Sequence, residues 1–153
     1  MTKLQLVTEV HSPVETIWSV LMDPSYIPKL YPDVLTAEVD PPGRTNVGQT
    51  FHITGRAGRR KLEIFAETIE IVERKKVGTR QRPGGLFKSF ESRILLEPNG
   101  KVTNVLTSFN YELSMSYLGR VFNMVLLERL VSDNLRAYSK NLKDICELLP
   151  LPP

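Results

Sequence analysis

The feature that most limits the fold lies towards the C-terminal end. From about Ser116 to Leu149 the chain runs without a proline, and Pro150 then stops it. In its second half, Val131, Leu135, Tyr138, Leu142, Ile145 and Leu149 share one stripe at helical spacing. Arg129, Asp133, Arg136, Lys140, Lys143 and Glu147 lie opposite. At ~1.5 Å per residue such a helix spans ~50 Å, enough to cross a small domain. The first half differs: Val121, Phe122, Met124, Val125, Leu126 and Leu127 encircle the axis. That pattern predicts cover on more than one side.

The rest of the chain supplies the layer this helix needs. Leu4, Leu6, Thr8 and Val10 alternate with Gln5 and Glu9, an opening strand with one buried face. Ser12-Pro13-Val14-Glu15 reads as a capping box with proline at the first helical position. Val14, Ile17, Trp18, Leu21 and Met22 follow as one apolar face. Asp23-Pro24 starts a second short helix, which Pro28 is expected to cut short, leaving Tyr26, Ile27, Leu30 and Tyr31 around the bend. From Val34 to about Leu113, turn signals such as Pro41-Pro42-Gly43, Pro83-Gly84-Gly85 and Pro98-Asn99-Gly100 predict five successive strands in an antiparallel meander. Phe90, Ser92, Ile94 and Leu96, then Val105, Thr107, Phe109 and Tyr111, mark the apolar face. A phase change near Thr68 to Ile71 predicts a bulge.

Together these elements predict an α+β fold, a curved antiparallel sheet wrapped around the long C-terminal helix. Residues 1–149 are expected to form one domain and 150–153 a Pro-rich tail. A sheet that touches its helix along one stripe leaves space at one end. Tyr26, Ile27 and Tyr31 are expected to gate that space, with Phe90, Phe109, Tyr111, Phe122 and Val125 as walls. Ser92, Thr68 and Thr107 add hydroxyls. Glu128, at the margin of the stripe, is the one acid positioned to act on a bound molecule, with Tyr111 as a helper.

Composition narrows the function classes. Of 153 residues, 41% are hydrophobic and 24% charged, ordinary values for a globular protein. There is no apolar run of ~20 residues, and Met1 to Gln5 does not read as a secretory leader, so none is expected. Cys146 is the only cysteine, so the expected setting is reducing and cytoplasmic. A net charge of +3 is a small excess. The basic clusters Arg56, Arg59, Arg60, Lys61 and Arg74, Lys75, Lys76, Arg80, Arg82 fall at turns without interleaved aromatics, which argues against nucleic acid. His11, His52 and Cys146 make no metal-ligand spacing, and no phosphate loop is present, so no metal or cofactor is expected.

With these motifs in order, the chain resembles the helix-grip superfamily of START lipid-transfer domains and polyketide cyclase/dehydratases, often called SRPBCC. Ser12 to Trp18, Asp23-Pro24 and Tyr31-Pro32-Asp33-Val34 carry the likeness first. Val47-Gly48-Gln49-Thr50-Phe51, Leu96-Glu97-Pro98-Asn99-Gly100 and Asn141-Leu142-Lys143 extend it over almost the whole length. The resemblance implies a small hydrophobic ligand between sheet and helix, lipid, polyketide or quinone-like, held for transport or sensing. The segment after Asp23 lacks the Trp-Cys pair of the quinone-binding branch. A cyclase or dehydratase acting through Glu128 is the alternative. A module binding a macromolecular partner is the third reading, a homodimer through the first half of the long helix being one form of it.

Overall fold

The computed structural model describes residues 1–57, 59–83, 87–114 and 124–150. The chain begins with strand β1 (Thr2–Val10), helix α1 (Val14–Leu21), a 3-10 turn (Pro24–Tyr26) and helix α2 (Ile27–Leu30). Strands β2 (Val34–Asp40), β3 (Thr50–Ala57), β4 (Arg60–Val72), β5 (Lys76–Gln81), β6 (Phe87–Asn99) and β7 (Val102–Leu113) follow. Helix α3 (Met124–Leu148) comes last. Between Val34 and Leu113 there are six strands, one more than expected, the short β5 of six residues among them. All seven strands form one antiparallel sheet in the order β1-β7-β6-β5-β4-β3-β2. Pairing of β1 with β7, from Thr2 opposite Tyr111 to Val10 opposite Thr103, joins the start of the chain to its last strand. The predicted bulge lies between Thr68 and Glu70.

The proline-rich segment differs from its prediction in two places. Ser12 does not cap α1; Pro13 stands at the cap position. The Ser12 hydroxyl donates instead to the Cys146 carbonyl at 3.4 Å, while the Ser12 carbonyl accepts from Thr103 Oγ1 at 2.9 Å. Ser12 is buried between β7 and the end of α3, where no water reaches these groups and protein partners must satisfy them. Pro28 does not cut a helix short. It sits in the first turn of α2, where its missing N–H has no intrahelical bond to lose. The helix ends at Tyr31, whose backbone turns extended (φ −105°, ψ 113°) ahead of Pro32. Asp23 caps as predicted, accepting from the Ser25 amide at 3.0 Å and its hydroxyl at 2.8 Å.

The stripe of α3 packs chiefly on β1, with further contact to β7, α1 and α2. Val131, Leu135, Tyr138, Leu142 and Cys146 are buried. Charged side chains then fasten the end of β1. Lys143 donates to the Glu9 carbonyl at 2.9 Å and to Glu147 at 2.7 Å, and Glu147 accepts the His11 amide at 2.9 Å. Val125 contradicts the expected all-round cover, being 61% exposed. At ~100° per residue it lies ~120° away from Val131 and so faces off the stripe. Val121, Phe122 and the rest of the helix predicted from Ser116 to Asn123 lie outside the described residues.

Tyr31 and Tyr138 join the short helix to the long one. Their rings meet at 4.7 Å with a 35° tilt, and Asn141 donates to the Leu30 carbonyl at 2.9 Å. Burial pushes the Tyr31 phenol from its ordinary 10.0 up to about 12. Burial first, then the nearby Tyr31 and Cys146, push Tyr138 well above the same value. On the other side of the sheet, β3 approaches the start of β2 closely enough for the Arg56 amide to donate to the Asp33 carbonyl at 2.9 Å. Gly55 permits this, since a Cβ there would stand 2.5 Å from that carbonyl oxygen.

Two outcomes follow from these contacts. Gly55→Ala should destabilise the protein by about 1–3 kcal/mol in urea unfolding, because backbone must move to admit the methyl. Gly78→Ala, which meets side-chain carbons at 3.5 Å or more, should cost much less. The raised phenols of the folded state bind protons that the unfolded chain has released above pH 10. The Cys146 thiol, raised by burial from 9.0 to about 12, acts in the same direction, so stability should fall as pH rises from about 9 towards 12. Tyr31→Phe should flatten that fall.

Candidate ligand cavity

Under α2 the sheet and the long helix do not close on each other. Alternation on β3 to β6 turns Phe51, Ala66, Val77 and Ile94 inwards from the sheet. Val20 and Leu21 of α1, with Ile27, Leu30 and Tyr31 around α2, form the opposite wall, and Tyr138 closes it from α3. The space between them is about 120 Å³. Asp23, Pro24 and Thr45 border it on the side of the 3-10 turn. Asp23 is exposed and is the only ionised side chain on this lining among the described residues.

Polar groups reach the cavity from the sheet. Thr68, Thr79 and Ser92 stand opposite one another on three adjacent strands. Thr79 Oγ1 and Ser92 Oγ share a hydrogen bond of 2.6 Å. Thr68 is fully buried, and its hydroxyl has no partner among the described residues.

The predicted site residues fall into separate groups. Ile27, Tyr31 and Ser92 line the cavity. Tyr26 does not; it packs against the edge of the core, with the Lys29 ammonium 5.3 Å over its ring. Phe90, Phe109 and Tyr111 form a neighbouring aromatic cluster with Phe87, against Val131 and Leu135. Thr107 is buried beside them on β7, its hydroxyl also without a partner among the described residues. Phe122 lies outside the described residues. Val125 and Glu128 are exposed rather than inward, since both lie off the buried stripe of α3. Much of the helix surface expected to form a homodimer lies in 116–123, also outside the described residues.

Glu128 is nonetheless felt inside. Burial first, then the Glu128 carboxylate, raise the Tyr111 phenol above its ordinary value, and the Thr2 side chain opposes them without reaching hydrogen-bond geometry. Both histidines are on the outside. His52 stacks on Phe65 at 4.6 Å and meets Glu63 at 2.6 Å on the outer face of the sheet; His11 meets Glu9 at 3.2 Å. Cys146 is a buried thiol pushed up to about 12, which keeps it protonated and inert. Among the described residues no group of three potential ligands assembles for a metal, and no helix is long and apolar enough to cross a membrane.

Sequence reasoning did not find Thr79, Phe51 and Tyr138 as lining residues. Tyr138 was visible only as part of a buried stripe. Placing Thr79 requires the β4–β5 register across the bulge, and one strand's pattern does not contain it.

A larger groove of about 690 Å³ runs outside α1, between Trp18, Met22, Val39 and Arg44. It is open to solvent, and its charges already have partners. Arg44 and the Trp18 indole donate to Glu73 at 3.1 Å, and Arg74 lies 4.0 Å from Glu15. The smaller space is the less open of the two and the better ligand site, because burial is what gives apolar contact its energy.

No curated protein matches the chain at a significant level. Solved structures do, over nearly its full length. An aromatase/cyclase, Zhui, from Streptomyces sp. R1128 superposes with a TM-score of 0.80 at 14% identity, covering 95% of this chain and 93% of that one. A START superfamily protein from Mycobacterium smegmatis gives 0.78 at 18% identity, covering 97% and 99%. Norcoclaurine synthase from Thalictrum flavum gives 0.71 at 19% identity, covering 94% and 85%. At these identities the likeness shows the helix-grip fold alone. The family described as polyketide cyclase / dehydrase and lipid transport matches residues 1–147, and the chain belongs to that family.

Proposed function

We propose that this protein binds a small hydrophobic molecule in the cavity beneath α2, to carry it or to sense it. The observation that carries this reading is the lining. It is partly enclosed and mainly apolar, and its polar groups are uncharged hydroxyls except for Asp23 at the border. Such a site holds a ligand by burial and orients it by a few hydrogen bonds. Ile27, Tyr31 and Ser92 form the wall in this reading, Tyr26 steadies the outer end of α2, and Phe90, Phe109, Tyr111 and Thr107 back the site from the next layer. Membership of a family whose description includes lipid transport is consistent with it.

The same family includes cyclases, and one observation favours that second reading: the influence of Glu128 on the buried Tyr111 phenol. Turnover would require these two groups to meet a substrate that penetrates the aromatic cluster. The exposure of Glu128 supports binding over chemistry.

The readings separate in one pair of variants. Tyr31→Ala removes the ring that closes the cavity against Tyr138. It should speed uptake and release of a neutral single-ring fluorophore such as methyl anthranilate several-fold in stopped-flow, with the far-UV circular dichroism retained. Glu128→Gln should leave those rates within about twofold. Unaltered kinetics in Tyr31→Ala, with loss of a detectable cyclisation or dehydration in Glu128→Gln, would favour the enzyme.

A further inference from the structure

We infer that the cavity recognises a neutral, single-ring-sized molecule by a carbonyl oxygen, through the hydroxyls of Thr68, Thr79 and Ser92. This rests on the binding reading above and adds what the ligand must carry. The three residues form a polar rung across β4, β5 and β6, since Thr68 pairs with Thr79 and Thr79 with Ser92. The floor around the rung is apolar, built by Ala66, Val77 and Ile94.

The rung has donors left over. Thr79 and Ser92 bring two hydroxyl protons, and their mutual bond at 2.6 Å uses one of them. The other has no acceptor among the described residues. Thr68 Oγ1, on a residue with 0% exposure, has no partner there either. A buried hydroxyl without a partner is unfavourable, and an acceptor oxygen brought in by a ligand removes the deficit. The spare protons need an acceptor, which a ketone, ester or lactone carbonyl supplies, whereas a group that only donates would leave them unpaired.

Charge and size narrow the class further. No cationic side chain lines the cavity among the described residues, so a carboxylate would be desolvated without a counter-ion. Asp23 at the border would repel it as well. The volume of about 120 Å³ is of the order of the ~150 Å³ cavity known to take up benzene. One ring with a short substituent fits, whereas a fused polycycle would have to displace α2.

Isothermal titration of the full chain with acetophenone, ethylbenzene and benzoate tests this assignment. Acetophenone and ethylbenzene should both bind, and benzoate should bind at least tenfold more weakly than acetophenone. In the Thr79→Val/Ser92→Ala protein the acetophenone-to-ethylbenzene affinity ratio should fall about tenfold, the loss expected for one or two neutral hydrogen bonds. Thr68→Val, nearly isosteric, serves as the second variant should the double one fail to fold, and its ratio should fall several-fold. An unchanged ratio in the variants would overturn the role of the rung while leaving the cavity reading in place. Benzoate binding as tightly as acetophenone would overturn the neutral-ligand assignment. Failure of all three compounds to bind wild-type protein would remove the cavity reading and this inference together.

Discussion

A mismatch of widths governs this structure. Seven strands at ~4.8 Å spacing make an inner face ~30 Å across, whereas one helix is ~10–12 Å wide with its side chains. The stripe of α3 covers β1 and part of β7, and it cannot cover the rest. The remaining apolar face needs a second cover, and the proline-divided segment from Val14 to Leu30 provides it. α1 brings Ile17, Trp18 and Val20 over the sheet, and α2 turns back to reach the long helix. The junction between the two covers is the Tyr31–Tyr138 contact, and the cavity lies beside that junction. The hole follows from having two covers over one sheet.

The polar content of the cavity has the same origin. Thr68 follows Ala66 inward by alternation along β4, and the bulge between Thr68 and Glu70 sets it opposite Thr79, level with Ser92. An apolar set at these positions would pack as well or better, since an unpartnered buried hydroxyl lowers stability. The phenols on the facing wall stay neutral at ordinary pH and leave Asp23 at the border as the one charge among the described lining residues. The arrangement favours molecules that are mostly apolar and carry a few uncharged oxygens.

Most of the architecture was legible in the chain, and particular residues show why. The period of the stripe from Val131 to Leu149 and the alternation from Phe90 to Tyr111 are local signals, and both faces lie where they point. Other features depend on partners distant in sequence. Ser12 has the sequence of a helix cap, but a buried carbonyl of Cys146, far along the chain, takes its hydroxyl. Pro28 is read equally well as a helix end or a helix start, and the choice depends on where α2 must reach α3. Glu128 and Val125 lie beside an apolar run, yet the sheet meets the helix along a stripe too narrow to include them. The rung of hydroxyls needs the register of three strands, and a single strand's pattern contains none of it.

The most direct test of the central claim is methyl NMR of the full chain, with Ile, Leu and Val labelled, during titration with acetophenone. Saturable shifts are predicted at Val20, Val77 and Ile94, which line the cavity, and none at the exposed Val72 and Leu148. Shifts confined to the outer groove at Val39, or to surface methyls with no saturation, would contradict a binding site beneath α2.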